Sequence, residues 1–318
     1  MGQGLKDSGS NPGFGSVRNS WSYQLRNNWL LYVFVLPTIL FYVIFHYVPM
    51  YGAVIAFKNF IPFKGIMGSP WVGFEHFERF FQGPFFDLLI RNTLIISVYT
   101  LIATFPIPII FALMLNQVEY PWFRKTLQTS SYIPYFISMV VYIAMVFMFL
   151  SPSIGLINRL IMLAGGEAIH FMNKADWFYH VYVATDVWKE TGFAAIIYIA
   201  VLSTINPELH EAALVDGATK LQRIFYIDIP GIVPTAVILL ILRVGRLMDI
   251  GFEKAYLLQT ELNIDASEII PTYVYKAGLI GAQFSYSSAI GLFNSVINLV
   301  LILVVNQISK KVTGNSLW

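Results

Sequence analysis

Three ionisable residues stand at intervals of three within a strongly apolar stretch: Arg243, Arg246 and Asp249. This spacing predicts that they share one side of a helix. Ionisable groups among apolar residues usually face a bundle interior or a water-filled path, so they could bind an acidic or hydroxyl-rich molecule reversibly. An internal arrangement explains them as well, with Arg246 paired to Asp249 and Arg243 bonded to neighbouring carbonyls. The residues alone leave both explanations open.

A second polar set lies in residues 206–231, between two apolar runs. Asn206 has the character of an N-cap with a proline after it, and Gly217 favours a left-handed stop, which predicts a helix over 207–216. Thr219 and Gln222 have the spacing of a capping box that opens a second helix, and Pro230 is expected to end it. The segment is therefore predicted to form a helix, a turn and a helix.

The surface of this loop is suited to contact with another chain. Small alanines beside the turn leave room for a partner's groove or backbone, namely Ala212, Ala213 and Ala218. Apolar residues that could act as anchors accompany them, namely Leu214, Val215, Leu221, Ile224 and Phe225. The alternative is an ordinary amphipathic loop that rests on a membrane surface.

Patterns typical of enzymes are missing from the sequence. Cysteine is absent, and no G-x-x-x-x-G-K-[ST] run that would cradle phosphate occurs, so any nucleotide must be bound by another chain. His210 and Glu211 begin an H-E-x-x-H pattern, but Leu214 replaces the second histidine, so no metal site is predicted. We interpret the other histidines as structural, namely His46, His76, His170 and His180. We interpret three asparagines in the last apolar run as interhelical hydrogen-bonding groups, namely Asn294, Asn298 and Asn306.

The elements that must position these residues are membrane-spanning helices. The chain has 318 residues, of which 57% are hydrophobic and only 12% charged, and its mean hydropathy is +0.64. A net charge of +2 with scattered basic residues argues against a nucleic-acid partner. Apolar windows long enough to span a bilayer occur at 29–50, 93–115, 127–150, 181–205, 232–252 and 288–308. The predicted fold class is an all-α integral membrane protein with a six-helix transmembrane bundle.

The predicted organisation is a flexible cytoplasmic tail (1–28), a transmembrane domain (29–310) and a cytoplasmic C-terminal tail (311–318). Lys and Arg are equally numerous on the two sides when both termini are cytoplasmic. The short segments around Arg124, Lys125, Lys310 and Lys311 favour that orientation, because their charges adjoin the ends of spans. The aromatic segment 51–91 and the segment 151–180 are expected to fold outside the membrane.

The run Glu211, Ala212, Ala213, Asp216, Gly217, Ala218 and then Ile227, Ile229, Pro230 and Gly231 resembles the EAA loop of permease subunits in ATP-binding-cassette importers. The resemblance implies the type I importer permease fold and a cytoplasmic loop that fits a cleft in an ATPase subunit. It assigns this coupling role to Glu211, Ala212, Ala213, Asp216, Gly217 and Ala218.

Further segments resemble the branch that imports oligosaccharides and polysaccharide fragments, namely VWKETGFAAIIYIAVL, YVPMYGAVIAFKNFIPFKG, WVGFEHFERFF and LQTSSYIPYFIS. The likeness extends over most of residues 29–310. It implies a non-catalytic subunit of the bacterial cytoplasmic membrane that works with a second homologous permease, two ATPase subunits that bind ATP and Mg²⁺, and an extracytoplasmic saccharide-binding protein. Arg243, Arg246 and Asp249 would line the path. The alternative is a secondary transporter or channel that works without ATP and uses these three residues for ion coupling.

Overall fold

A computed structural model describes residues 28–314 and Ser316. Most of the predicted 1–28 tail, and part of the 311–318 tail, lies outside the described residues. The described chain is helical, and its only β feature is the isolated bridge between Lys58 and Trp71. It forms two units, one ending at Ala53 and one beginning at Val54. The helices are α1 Trp29–Phe57, α2 Gly65–Gly68, α3 Glu75–Phe81, α4 Phe86–Thr104, α5 Pro106–Asn116, α6 Pro121–Tyr132, α7 Met139–Leu150, α8 Leu156–Leu163, α9 Ala175–Leu202, α10 Pro207–Val215, α11 Lys220–Val244, α12 Phe252–Leu258, α13 Ile264–Ser267, α14 Ile270–Tyr275 and α15 Phe284–Thr313.

Four single helices and two bent helix pairs correspond to the six predicted spans. Within the described residues, four helices are long and apolar enough to cross a membrane: α1, the combined α4 and α5 (Phe86–Asn116), α11 and α15. Two bent pairs also qualify, and they contain the predicted windows 127–150 and 181–205. The all-α membrane fold predicted from sequence is therefore confirmed.

The predicted span 127–150 is not one straight helix. It bends by 104° between Phe136 and Met139. Pro134 lies just before the bend, in a short tightly wound turn, and it lacks the amide that a regular helix would require. Carbonyl groups at the bend accept hydrogen bonds from Lys189, as described below.

Pro230 does not end the second helix of the charged loop, so that prediction is wrong. α11 continues to Val244 because residues Ile224–Asp228 form a wide π-helical turn just before the proline. Its closing hydrogen bond runs from the Ile229 amide to the Ile224 carbonyl. The widened turn makes room for a proline ring that would clash with the preceding turn of a regular helix.

α9 is the central helix of the second unit. Its aromatic side chains Phe178 and Tyr182 pack with Tyr142 of α7 in one buried cluster. Tyr198, nearer its other end, packs with Leu113 of α5 and Ile232 of α11. These contacts place α9 against α11, which begins directly after the charged loop and carries Arg243 near its end.

Both long connecting segments are folded, as expected. Phe57 stacks on Trp71 with a centroid separation of 5.8 Å and contacts Phe74 and Phe77 at 5.4 Å each. In the segment after α7, the Asn158 side chain is fully buried. It donates to the carbonyls of Leu150, Ser151 and Ile169 and accepts from the Ile169 amide.

Candidate functional site

A cavity of about 630 Å³ lies between α4, α9, the end of α11 and the segment that leads into α12. This volume is within the usual range of small-molecule sites. Leucine, isoleucine, methionine and proline side chains form much of its wall. The cavity also has a charged lining, which consists of Asp186, Glu190, Arg243, Arg246, Asp249 and Lys254.

The structure brings Arg243, Arg246 and Asp249 together at this cavity. They do not share one face of a helix, as the sequence predicted, because only Arg243 lies within α11. α11 ends at Val244, and residues 245–248 form successive turns, so the predicted span to 252 is too long. Backbone groups beyond the end of α11 form hydrogen bonds with polar side chains from other helices. Ser97 of α4 donates to the Leu247 carbonyl, and the Met248 amide donates to Asn298 Oδ1 at 3.0 Å. Irregular backbone is tolerated at membrane depth only where such partners, or water in a cavity, are available.

The two arginines differ in their surroundings. Arg243 Nη1 donates to Thr104 Oγ1 at 2.6 Å, and its Nη2 lies 4.0 Å from Glu190 Oε2. Arg246 is exposed, and its side chain has no hydrogen bond or ion pair with the part of the chain that the structure describes. Arg246 therefore presents a guanidinium that is free to bind a molecule in the cavity.

Asp249 is hydrogen-bonded by a residue of α15. Its Oδ1 accepts from Asn294 Nδ2 at 2.9 Å, so the alternative Arg246–Asp249 pair does not form among the described residues. The interhelical role predicted for Asn294 and Asn298 is confirmed by these contacts, and Asn306 is buried on the same helix.

The sequence reasoning identified Asp249 but missed Asp186, Glu190 and Lys254. Lys254, which is only 1% exposed, donates from Nζ to Asp186 Oδ1 and to the Tyr182 carbonyl, both at 2.6 Å. Its Nζ also lies 4.0 Å from the centre of the Tyr182 ring. Asp186 and Glu190 are four residues apart inside a predicted span, so the argument applied to Arg243 could have found them.

Lys189 lies on α9 beside these residues and serves a structural purpose. Its Nζ donates to the carbonyls of Pro134 and Tyr135 at 3.2 Å and of Ile137 at 2.6 Å. These carbonyls lie where the span bends by 104°, and that of Pro134 also accepts from the Ile137 amide at 3.3 Å. The ammonium group therefore satisfies a helix break at membrane depth.

Apart from Pro230, the charged loop folds as its sequence predicts. Asn206 Oδ1 accepts from the Glu208 amide at 3.1 Å and caps α10. At the other end, Gly217 has a φ of +77°, and the amide of Ala218 bonds to the Ala213 carbonyl at 2.8 Å. This is a Schellman ending, in which a left-handed residue satisfies the last carbonyls. The predicted capping box at the start of α11 is also present.

Most of the residues that resemble the EAA loop lie on an accessible surface. Glu211, Ala212, Asp216 and Gly217 are exposed, and the two alanines at the Schellman turn are half-buried. Apolar side chains around them are also largely exposed, namely Leu214, Val215, Leu221 and Phe225. Ile224 differs from the expectation, because it packs into the bundle beside Ile232. The loop thus presents an apolar surface next to its small residues.

One helix connects the charged loop to the cavity. α11 begins at Lys220, directly after the loop, and its last turn carries Arg243. The rise of a helix over this interval is about 35 Å. A displacement of the loop along the axis of α11 would therefore also displace Arg243 at the cavity.

Comparison with known proteins shows extensive similarity. The family model described as the inner membrane component of binding-protein-dependent transport systems matches residues 104–314. The polygalacturonan/rhamnogalacturonan transport system permease protein YteP of Bacillus subtilis (strain 168) is 44% identical over 281 residues, which cover 88% of this chain and 88% of the relative. Protein LplB of the same organism is 41% identical over 299 residues, which cover 94% of each chain.

Two solved structures share the fold. One is a bacterial ABC transporter involved in the import of the acidic polysaccharide alginate, with a chain that is 41% identical at a TM-score of 0.85, covering 92% of this chain and 99% of that chain. The other is the bacterial alginate ABC transporter in complex with an alginate pentasaccharide-bound periplasmic protein, with 40% identity, a TM-score of 0.85 and coverage of 93% and 99%.

Proposed function

We propose that this chain, which belongs to the family of inner membrane components of binding-protein-dependent transport systems, forms part of the path by which an ATP-driven importer takes up acidic oligosaccharides or polysaccharide fragments. The observation that carries the proposal is the polar cavity in which Arg246 has no protein partner among the described residues. The similar transporter that imports acidic alginate supports the choice of cargo.

The cavity offers the groups that an acidic sugar requires. A free guanidinium can bind a carboxylate with two parallel hydrogen bonds. Asp249 provides an acceptor for a hydroxyl.

The chain is a permease subunit, and we assign the chemical step to its partners. Its sequence has no phosphate-cradling loop, so ATP and Mg²⁺ would be bound by two ATPase subunits, and this chain would break no bonds. A second homologous permease would complete the path. An extracytoplasmic protein would deliver the saccharide, a role supported by the periplasmic protein in the related complex.

The ATPase would dock on the cytoplasmic face of the α10 loop, at Glu211, Ala212, Ala213, Asp216, Gly217 and Ala218. The exposed apolar side chains beside these residues, such as Val215 at 89% exposure, are typical of an interaction surface. Both termini would then lie in the cytoplasm of a bacterial cell whose cytoplasmic membrane holds the chain. Closure of the ATPases would move α10, and α11 would carry the motion to Arg243.

The test begins with the complex itself. The tagged chain is purified from its host in mild detergent, and its bound proteins are identified by mass spectrometry; an ATPase and a second permease are expected. The complex is then reconstituted with its binding protein, and uptake of acidic and neutral oligosaccharides is measured for wild type, Arg246→Gln and Arg159→Gln. Arg159 is an exposed arginine outside the cavity and serves as the control.

We expect Arg246→Gln to raise the KM for an acidic oligosaccharide about tenfold, which corresponds to the loss of one charge-assisted hydrogen-bonding group. The KM for a neutral oligosaccharide should change little. An equal change in KM for both oligosaccharides, or no change in either, would contradict the proposal that the cargo is acidic. An active preparation without an ATPase would instead favour the ATP-independent carrier.

A further inference from the structure

We infer that His210, Gln117 and Asp228, here called the Asp228 network, transmit motion from the docking loop to the transmembrane bundle. The inference rests on the proposed function and adds positioning residues that lie outside the EAA-like run. Asp228 is fully buried in the wide turn of α11. It lies beside both the docking helix α10 and the end of α5.

The network joins three elements through one carboxylate. His210 Nε2 of α10 lies 3.3 Å from Asp228 Oδ1, and Gln117 Nε2, at the end of α5, donates to Asp228 Oδ2 at 3.2 Å. The His210 side chain is 25% exposed, whereas that of Asp228 is fully buried. Gln117 thus hydrogen-bonds Oδ2, whereas Oδ1 has no hydrogen bond among the described residues and faces the His210 ring at ion-pair distance.

Because Asp228 is buried, its carboxylate depends on these contacts for stabilisation. A buried carboxylate is unfavourable unless it is paired and hydrogen-bonded. The nearby Arg223 provides positive charge from the preceding turn, but its Nε is buried without a hydrogen-bond partner among the described residues. Separation of α10 from α11 would therefore leave Asp228 Oδ1 without His210.

The backbone between α10 and α11 is a short turn. Only residues 216–219 join the two helices, and Gly217 sits there in a left-handed conformation, so the turn can act as a pivot. The His210–Asp228 contact provides a second connection beyond the pivot. With two points of attachment, a push on α10 moves α11 instead of being absorbed in the turn.

An exposed contact between the same segments serves as a matched control. Lys220 Nζ donates to Glu119 Oε1 at 2.6 Å, and this hydrogen bond and the lysine charge lower the pKa of Glu119. Both side chains are mostly exposed, at 60% and 75%. Exposed pairs contribute little, so Glu119→Gln should leave transmission intact.

The test compares the Asp228→Asn, His210→Leu and Glu119→Gln importers in proteoliposomes with the binding protein and an acidic oligosaccharide. Three quantities are measured: the ATPase subunit retained per permease, the rate of ATP hydrolysis and the saccharide imported per ATP hydrolysed. For Asp228→Asn and His210→Leu we expect normal retention, hydrolysis within about twofold of wild type, and at least a tenfold fall in saccharide imported per ATP. Glu119→Gln should match wild type.

An unchanged ratio of import to hydrolysis in His210→Leu would overturn the inference, as would loss of the ATPase subunit from that variant, because the residue would then support docking and not transmission. His210 is partly exposed, so its variant decides the matter if Asp228→Asn fails to accumulate. Failure of the wild-type complex to import saccharide with ATP would instead refute the proposed function.

Discussion

Lys254 and Asp186 form a buried ion pair, with 2.6 Å between Nζ and Oδ1, that joins α12 to the middle of α9. The pair lies at the cavity wall and anchors the chain just after the irregular segment 245–251. It therefore holds the segment that presents Arg246.

We expect Lys254→Met to lower the free energy of unfolding by about 3 kcal/mol, because it leaves Asp186 buried without its partner. Thermal unfolding in detergent, followed by tryptophan fluorescence, measures the change. The double variant Lys254→Met/Asp186→Leu should recover much of the loss, since it removes both charges. A double variant no more stable than the single one would show that the ion pair is not the cause.

Glu190→Gln should have the opposite effect on cargo binding from Arg246→Gln. The Glu190 carboxylate lies 4.0 Å from Arg243 and competes with an acidic cargo for that guanidinium. Both side chains are partly exposed, so solvent weakens the pair, and we expect the KM for an acidic oligosaccharide to fall about fivefold. Uptake kinetics with a neutral oligosaccharide provide the control, and an increased KM for the acidic one would refute the prediction.

Gly217→Pro should abolish uptake while the protein remains in the membrane. A φ of +77° is inaccessible to proline, so the Schellman turn at the end of α10 would be lost. Glu211→Arg should have the same result by reversing the charge of an exposed residue on the docking helix. Immunoblots of membranes and uptake assays test both variants, and normal uptake in both would exclude a coupling role for the loop.

Gly192→Ala should strongly destabilise the bundle. A Cβ at this position would lie 2.1 Å from the Ser131 carbonyl oxygen, so α9 and α6 would have to separate. Gly291→Ala is the matched control, because a Cβ there meets nothing within 4 Å. We expect the first variant to lose most of its folded protein in a detergent melting assay and the second to equal or exceed wild type.

The regular parts of the fold were predictable because their signals are local. Long apolar windows identified the spans, and the loop around Gly217 was specified by caps and a left-handed position within a few residues of each other. The misassigned features depend on distant partners. The end of α11 depends on Ser97, which donates to the Leu247 carbonyl, and on Asn298, which accepts from the Met248 amide. The Lys254 pair depends on a helix far away in the sequence.

Pro230 illustrates a different limit. Proline normally ends or kinks a regular α-helix because its ring clashes with the carbonyl of the preceding turn. One extra residue in that turn removes the clash. No local pattern in residues 224–228 announces that extra residue. The wide turn is visible only in the structure, where its Asp228 accepts from Gln117 and lies 3.3 Å from His210.

The wide turn also fixes the angular phase between the two ends of α11. A π-helical turn is equivalent to a regular helix with one residue inserted, and one residue corresponds to about 100° of rotation and 1.5 Å of rise. If residues 220–244 were wound throughout as a regular α-helix, the extra residue would no longer be absorbed in the wide turn. Arg243 would then be rotated about 100° around the axis relative to Lys220, away from its present partner Thr104. The length of this turn therefore sets the direction in which the cationic side chain points.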